Sequence, residues 1–118
     1  MQAEILDLTE KLFSYNQFCL KMYLEVKEKG LKKDFHEDIK PFADEVKKMN
    51  HAWKQLMQLW LKQNPHKHLH LKQITTTSEH IDQLSIQAFF PETSRSRFLN
   101  ANRTVEYFLL EILKELRK

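Results

Sequence analysis

The chain has 118 residues, enough for one domain, with 42% hydrophobic and 30% charged side chains and a formal charge of +3. One glycine and three prolines leave little for tight hairpins or long flexible loops. No apolar run approaches the roughly 20 residues of a membrane span, the N-terminus lacks the basic head and apolar block of a signal peptide, and the single Cys19 fits a reducing compartment. A cytoplasmic location is therefore expected.

Four stretches carry apolar residues at spacings of three and four, the signature of amphipathic helices. In the first, Ile5, Leu8, Leu12, Tyr15, Cys19, Met22 and Val26 share a stripe, predicting a helix over about 2–29. Gly30 then supplies the left-handed turn that ends it. A second line, Leu6, Phe13, Leu20 and Leu24, lies about 120° round at roughly 100° per residue, so more than half the circumference is apolar. That width suits a helix touching two neighbours. It also suits an interaction surface for a partner protein or a second copy of the chain.

The second helix is predicted over 34–64, with a break or kink near residue 41. Asp34 can cap it, with Glu37 reaching back to the cap residue. Pro41 clashes with the carbonyl four residues before it. Either a short turn at 34–39 precedes a new helix, or one helix kinks; the short turn is preferred. Its stripe is Ile39, Phe42, Val46, Met49, Trp53, Leu56 and Trp60. Asn64-Pro65 stops it.

A third helix is expected over 70–90 with Ile74, Thr77, Ile81, Leu84 and Ala88 inward. The fourth is expected over 93–117, capped by Thr93 or Ser94, with Phe98, Ala101, Val105, Phe108, Ile112 and Leu116 inward. Short links make sequential helices antiparallel neighbours. The fold class is all-α, an antiparallel up-and-down four-helix bundle in a single domain.

Chemistry-bearing patterns are sparse. His66, His68 and His70 alternate, and in an extended segment they point the same way, an arrangement zinc or nickel can use. A fourth ligand and supporting partners are not nominated, so no metal or cofactor is expected, with these three residues as the candidates. Di-iron bundles need Glu-x-x-His on two helices, and no glutamate here has a histidine three residues on. One glycine builds neither a P-loop nor a nucleophile elbow. No catalytic residue is assigned, and an enzyme is not expected.

The first 61 residues hold ten acidic and ten basic side chains. The positive excess falls later, on Lys62, Lys67, Lys72, Arg95, Arg97 and Arg103. These form a candidate basic patch for phosphates, but the excess is too mild to favour nucleic acid as the partner. The aromatic residues are assigned to core packing, with an interior cavity for a small ligand, or an interface anchor, as the alternatives.

The run Asp34-Phe35-His36-Glu37-Asp38-Ile39-Lys40-Pro41-Phe42 resembles an Asp-Phe…Ile-Lys-Pro element of the YppE-like proteins, small uncharacterised proteins of Bacillus and its relatives. Further matches follow in order: Trp53, Pro65 with a basic, histidine-containing link into Gln73-Ile74, then Arg97-Phe98, and Thr104-Val105-Glu106-Tyr107 through Ile112. The resemblance covers essentially the whole chain. It implies a four-helix bundle in the cytosol of a Gram-positive bacterium. It brings no activity, cofactor or binding residue. The function expected from the residues is a non-enzymatic protein–protein interaction module, with Leu6, Phe13, Leu20 and Leu24 as its surface. The alternatives are a ligand- or metal-binding bundle and a weak nucleic-acid binder through the basic 62–72 link.

Overall fold

The computed structural model describes residues 1–30 and 33–118. Helix α1 spans Gln2–Lys29, α2 Lys40–Gln63, α3 Leu71–Gln87 and α4 Arg95–Leu116, with no strand among the described residues. The helices pack in cyclic order, α1 on α2, α2 on α3, α3 on α4 and α4 back on α1, with a lesser diagonal contact between α1 and α3. The fold is an all-α four-helix bundle. At 1.5 Å per residue α1 is about 42 Å long, nearly the whole 46 Å long axis of the molecule.

Local chemistry sets the helix ends. Gly30 adopts φ 65°, and its N–H closes α1 on the Val26 carbonyl at 2.8 Å. Ahead of α2, residues Phe35–Ile39 make one turn of the wider π-helix, with the Ile39 N–H reaching the Asp34 carbonyl at 3.1 Å. Asp34 caps this turn by accepting from the Glu37 N–H at 2.8 Å. The reach-back comes from Asp38, whose Oδ2 accepts from the Asp34 N–H at 3.2 Å, and not from Glu37. Widening the turn by one residue moves the returning carboxylate one position along. Pro41 then sits in the first turn of α2, where its missing N–H costs nothing.

Helix α3 stops at Gln87, short of the expected Phe90. The Phe89 and Phe90 N–H groups bond three residues back, to Ile86 and Gln87, which tightens the chain and turns Phe89 into the core. Helix α4 is capped by Ser94, whose hydroxyl accepts from the Arg97 N–H at 3.5 Å. Thr93 instead offers its carbonyl to the Tyr23 hydroxyl at 2.6 Å, tying the end of α1 to the start of α4.

The core contains Ile5, Leu12, Cys19, Trp53, Met57, Ile74, Leu84, Phe98, Leu109 and Ile112. It also holds polar side chains that apolar periodicity places outside: Thr9, Asn16, Asn50, Ser78, Ser85 and Asn102 are all buried. Trp53 Nε1 donates to Thr9 Oγ1 at 3.0 Å, and Thr9 donates to the Ile5 carbonyl at 2.6 Å. Asn50 Nδ2 donates to the Ser78 carbonyl at 2.7 Å and to Asp82 Oδ1 at 2.9 Å. Burying a polar group is tolerable when it is hydrogen-bonded, and these bonds each join two helices at a fixed height, apart from the local Thr9–Ile5 bond.

Candidate functional site

The histidine-bearing link lies beside the C-terminal end of α4. The His66 ring donates from Nε2 to Glu115 Oε2 at 2.9 Å and accepts at Nδ1 from the His68 N–H at 3.0 Å. Both ring nitrogens are thus occupied by protein partners. His68 is exposed, with its ring centroid 6.0 Å from that of His66. His70 precedes α3, and its N–H is taken by the Gln73 side chain at 2.8 Å. Among the described residues no three His, Cys, Asp or Glu side chains converge as metal ligands do. Glu115 also accepts from Lys118 at 2.8 Å. Lys118 first, and His66 second, hold its carboxyl below the usual carboxylate range.

The six basic candidates divide between the two ends of the bundle. Lys62, Lys67 and Lys72 gather round the α2–α3 link, at the end of Glu115. Arg95 and Arg97 open α4 at the opposite end, where Lys27 Nζ donates to the Pro91 carbonyl at 2.8 Å. Arg103 stands about two turns further along α4. The structure does not bring the six into one patch.

On α1, Leu6, Phe13 and Leu20 are half-buried against the core, and Leu24 is 37% exposed. The helical wheel explains this. Asn16 faces α4, donating to the Asn102 carbonyl at 3.0 Å, and this second line lies about 40–80° round from Asn16 on the α4 side. Tyr15, on the other flank, reaches Glu45 of α2 at 3.0 Å. The broad apolar face of α1 serves two neighbours, with Leu24 left outermost.

The interior aromatics pack on one another. Tyr23 stacks on Phe98 with centroids 4.1 Å apart, and Trp53 is fully buried. Cys19 is 3% exposed, and burial pushes its thiol up to about 12.

Two surface features escaped the apolar stripes. Lys47, His51 and Lys54 line a polar groove between α2 and α3, with Asn50 and Asp82 also in its wall. Their four-and-three spacing is readable in the sequence, but overall charge balance over the first 61 residues conceals it. Asn50 Oδ1, buried nearby, has no hydrogen-bond partner among the described residues. The second feature is a cleft of about 520 Å³ between α3 and α4, lined by His70, Lys72, Thr76, Thr104, Tyr107 and Phe108 among others. Tyr107 is 68% exposed, and Leu110, one turn on, is 44% exposed. Among the described residues no carboxylate lines this cleft.

The fold is shared with solved structures. A protein of unknown function from Listeria innocua superposes with a TM-score of 0.94 at 25% identity, over 98% of this chain and 93% of its own. Protein yppE from Bacillus subtilis matches with a TM-score of 0.94 at 23% identity, over 99% and 95% of the two chains. A DUF1798 domain from Staphylococcus aureus matches with a TM-score of 0.87 at 22% identity, over 95% of each. No functionally curated protein matches. The YppE-like resemblance of the sequence is thereby met, and since the model of the bacterial domain of unknown function DUF1798 matches residues 9–116, the chain belongs to that family.

Proposed function

We propose that the chain is a non-enzymatic interaction module, acting in the cytosol, that binds another protein through an outward helix face. The observation carrying this reading is the contrast between a filled core and the large side chains left outside it. Tyr107 at 68% exposure and Leu110 at 44% are left largely in solvent on α4, and Phe18, 41% exposed, is covered only in part by its contact with Phe42 of α2. Exposed aromatic residues of this kind supply a large share of binding energy at protein interfaces. The lone, buried Cys19 suits a reducing compartment.

The reading is tested by capture on the tagged, folded protein from lysate of the source cell, with and without nuclease, quantified by mass spectrometry. One protein recovered at near-stoichiometric yield, insensitive to nuclease and lost when exposed apolar residues are replaced, is the expected result. Recovery that collapses with nuclease, or no protein recovered at all, refutes it.

A further inference from the structure

Resting on the interaction-module reading, we propose that the α3–α4 cleft is the docking site and that its occupant is a peptide segment of a partner protein presenting an acidic residue beside an apolar anchor. Three observations fit together here. Phe108, buried, forms an apolar floor, and Tyr107 stands over it from the next position of α4 with most of its ring in solvent. Thr76 and Thr104 line the walls, one from each helix. Thr104 donates to its own helix at the Asn100 carbonyl, 2.9 Å, leaving its oxygen free to accept.

Charge decides the sign of the occupant. Among the described residues Lys72 is the one lysine or arginine in the lining, and no carboxylate faces it there. Lys72 forms no ion pair among the described residues. The neighbouring outward positions of α4 add Arg103, likewise without an ion pair among the described residues, and Lys114, while Glu111, one turn beyond Tyr107, faces Lys114 at 3.9 Å, so the surround keeps a positive balance. An apolar floor with a cation at one end discriminates against basic segments and favours an anionic group placed next to an apolar side chain. The size also fits: about 520 Å³ accommodates one large anchor side chain and its neighbours. The line Leu6, Phe13, Leu20 and Leu24 on α1 offers less, because its first three residues are already packed against the core.

The test is a random-peptide library displayed on phage and panned on the intact protein. Enriched peptides are then synthesised and titrated by fluorescence anisotropy against wild type, Tyr107→Ala, Lys72→Glu and, on α1, Leu24→Arg. All three positions are exposed, and far-UV circular dichroism with thermal melting checks that each variant folds. The expected result is enrichment of Asp or Glu next to an aromatic or aliphatic residue. Affinity falls by about tenfold or more in Tyr107→Ala and Lys72→Glu and is unchanged in Leu24→Arg. Peptides indifferent to Tyr107→Ala and Lys72→Glu overturn the site. If the same peptides are lost in Leu24→Arg, the interaction module stands and only this cleft falls. Enrichment of basic peptides, or none, overturns the acidic occupant. So does a dimer, seen by sedimentation, that Tyr107→Ala dissociates, because the occupant is then a second copy. Binding of a poly-uridine probe that weakens steeply with salt and is lost in Lys72→Glu also overturns it, in favour of nucleic acid.

Discussion

Asn16 of α1 and Asn102 of α4 each donate their side-chain amide to the other's backbone carbonyl, both at 3.0 Å, and Asn102 Nδ2 also reaches Asn16 Oδ1 at 3.0 Å. Both residues are buried. A shift of one helix along the other by a turn breaks every one of these bonds and leaves two amides unpaired in the core. The pair therefore specifies register more than it adds net stability.

Asn102→Ala removes the two bonds donated by Nδ2 and strands Asn16 Oδ1 in an apolar setting. Leaving a buried acceptor unpaired costs about 1–3 kcal/mol, so urea denaturation should show a loss in that range. Asn16→Ala should show a similar loss. The double variant should be less destabilised than the sum of the two by about 1 kcal/mol or more, since contacting residues couple. Strict additivity would show that the two side chains act independently.

Trp53 contributes to the core in two separable ways. Trp53→Phe keeps most of the ring area but removes the indole N–H that reaches Thr9 Oγ1. Thr9 keeps its own donor bond to Ile5, so the loss is the indole donor, with Thr9 Oγ1 left unpaired only as an acceptor, at about 1 kcal/mol with some added cost from the smaller ring. Trp53→Ala should cost about 3–5 kcal/mol. Equal costs for the two variants, measured by chemical denaturation, would assign the stabilisation to the hydrogen bond and not to the volume.

The inward faces of α3 and α4 were legible because their inward residues are mostly apolar: of Ile74, Ile81, Leu84, Phe98, Val105, Phe108 and Ile112, all are buried. On α1 the pattern misled by half a residue row. The buried set is Ile5, Leu12, Cys19 and Val26 together with Thr9, Asn16 and Tyr23, two rows each repeating every seven residues. Leu8, Tyr15 and Met22 are only half-buried. Periodicity weights apolar residues, so a threonine and an asparagine whose polar atoms are satisfied across the core read as outward. The candidate cleft was hidden for another reason. Tyr107 sits in an apolar stretch, and its exposure depends on where α3 lies, which spacing along one helix does not encode.

Cys19 should be chemically silent in the folded protein. Its thiol is buried, and desolvation pushes its pKa up to about 12, so the reactive thiolate is scarce at neutral or mildly alkaline pH. Ellman's reagent at about pH 8, where an ordinary thiol near 8.5 reacts readily, should label the native chain only as fast as it opens. It should label the chain promptly in denaturant. Fast stoichiometric labelling of the native protein would contradict this packing.

Glu115 gives the bundle end a pH dependence whose sign can be worked out. Lys118, then His66, lower its carboxyl pKa in the folded state. A depressed carboxylate pKa stabilises the fold above the unfolded-state value, near 4.3, and that contribution is lost as pH falls through the folded value. Glu115→Gln keeps the shape and one acceptor oxygen, enough for either His66 Nε2 or Lys118 Nζ but not for both, and abolishes the charge. Wild type should therefore melt above Glu115→Gln at pH 5–6, and the two curves should converge as the pH falls through and below about 4. The group lies at the surface, so the gap should be small and should narrow further in high salt. A gap that persists unchanged to about pH 3, below the ordinary range for glutamate, would mean that Glu115 acts through packing or hydrogen bonding alone. The His66–Glu115 contact would then hold the α2–α3 link to α4 without any contribution from charge.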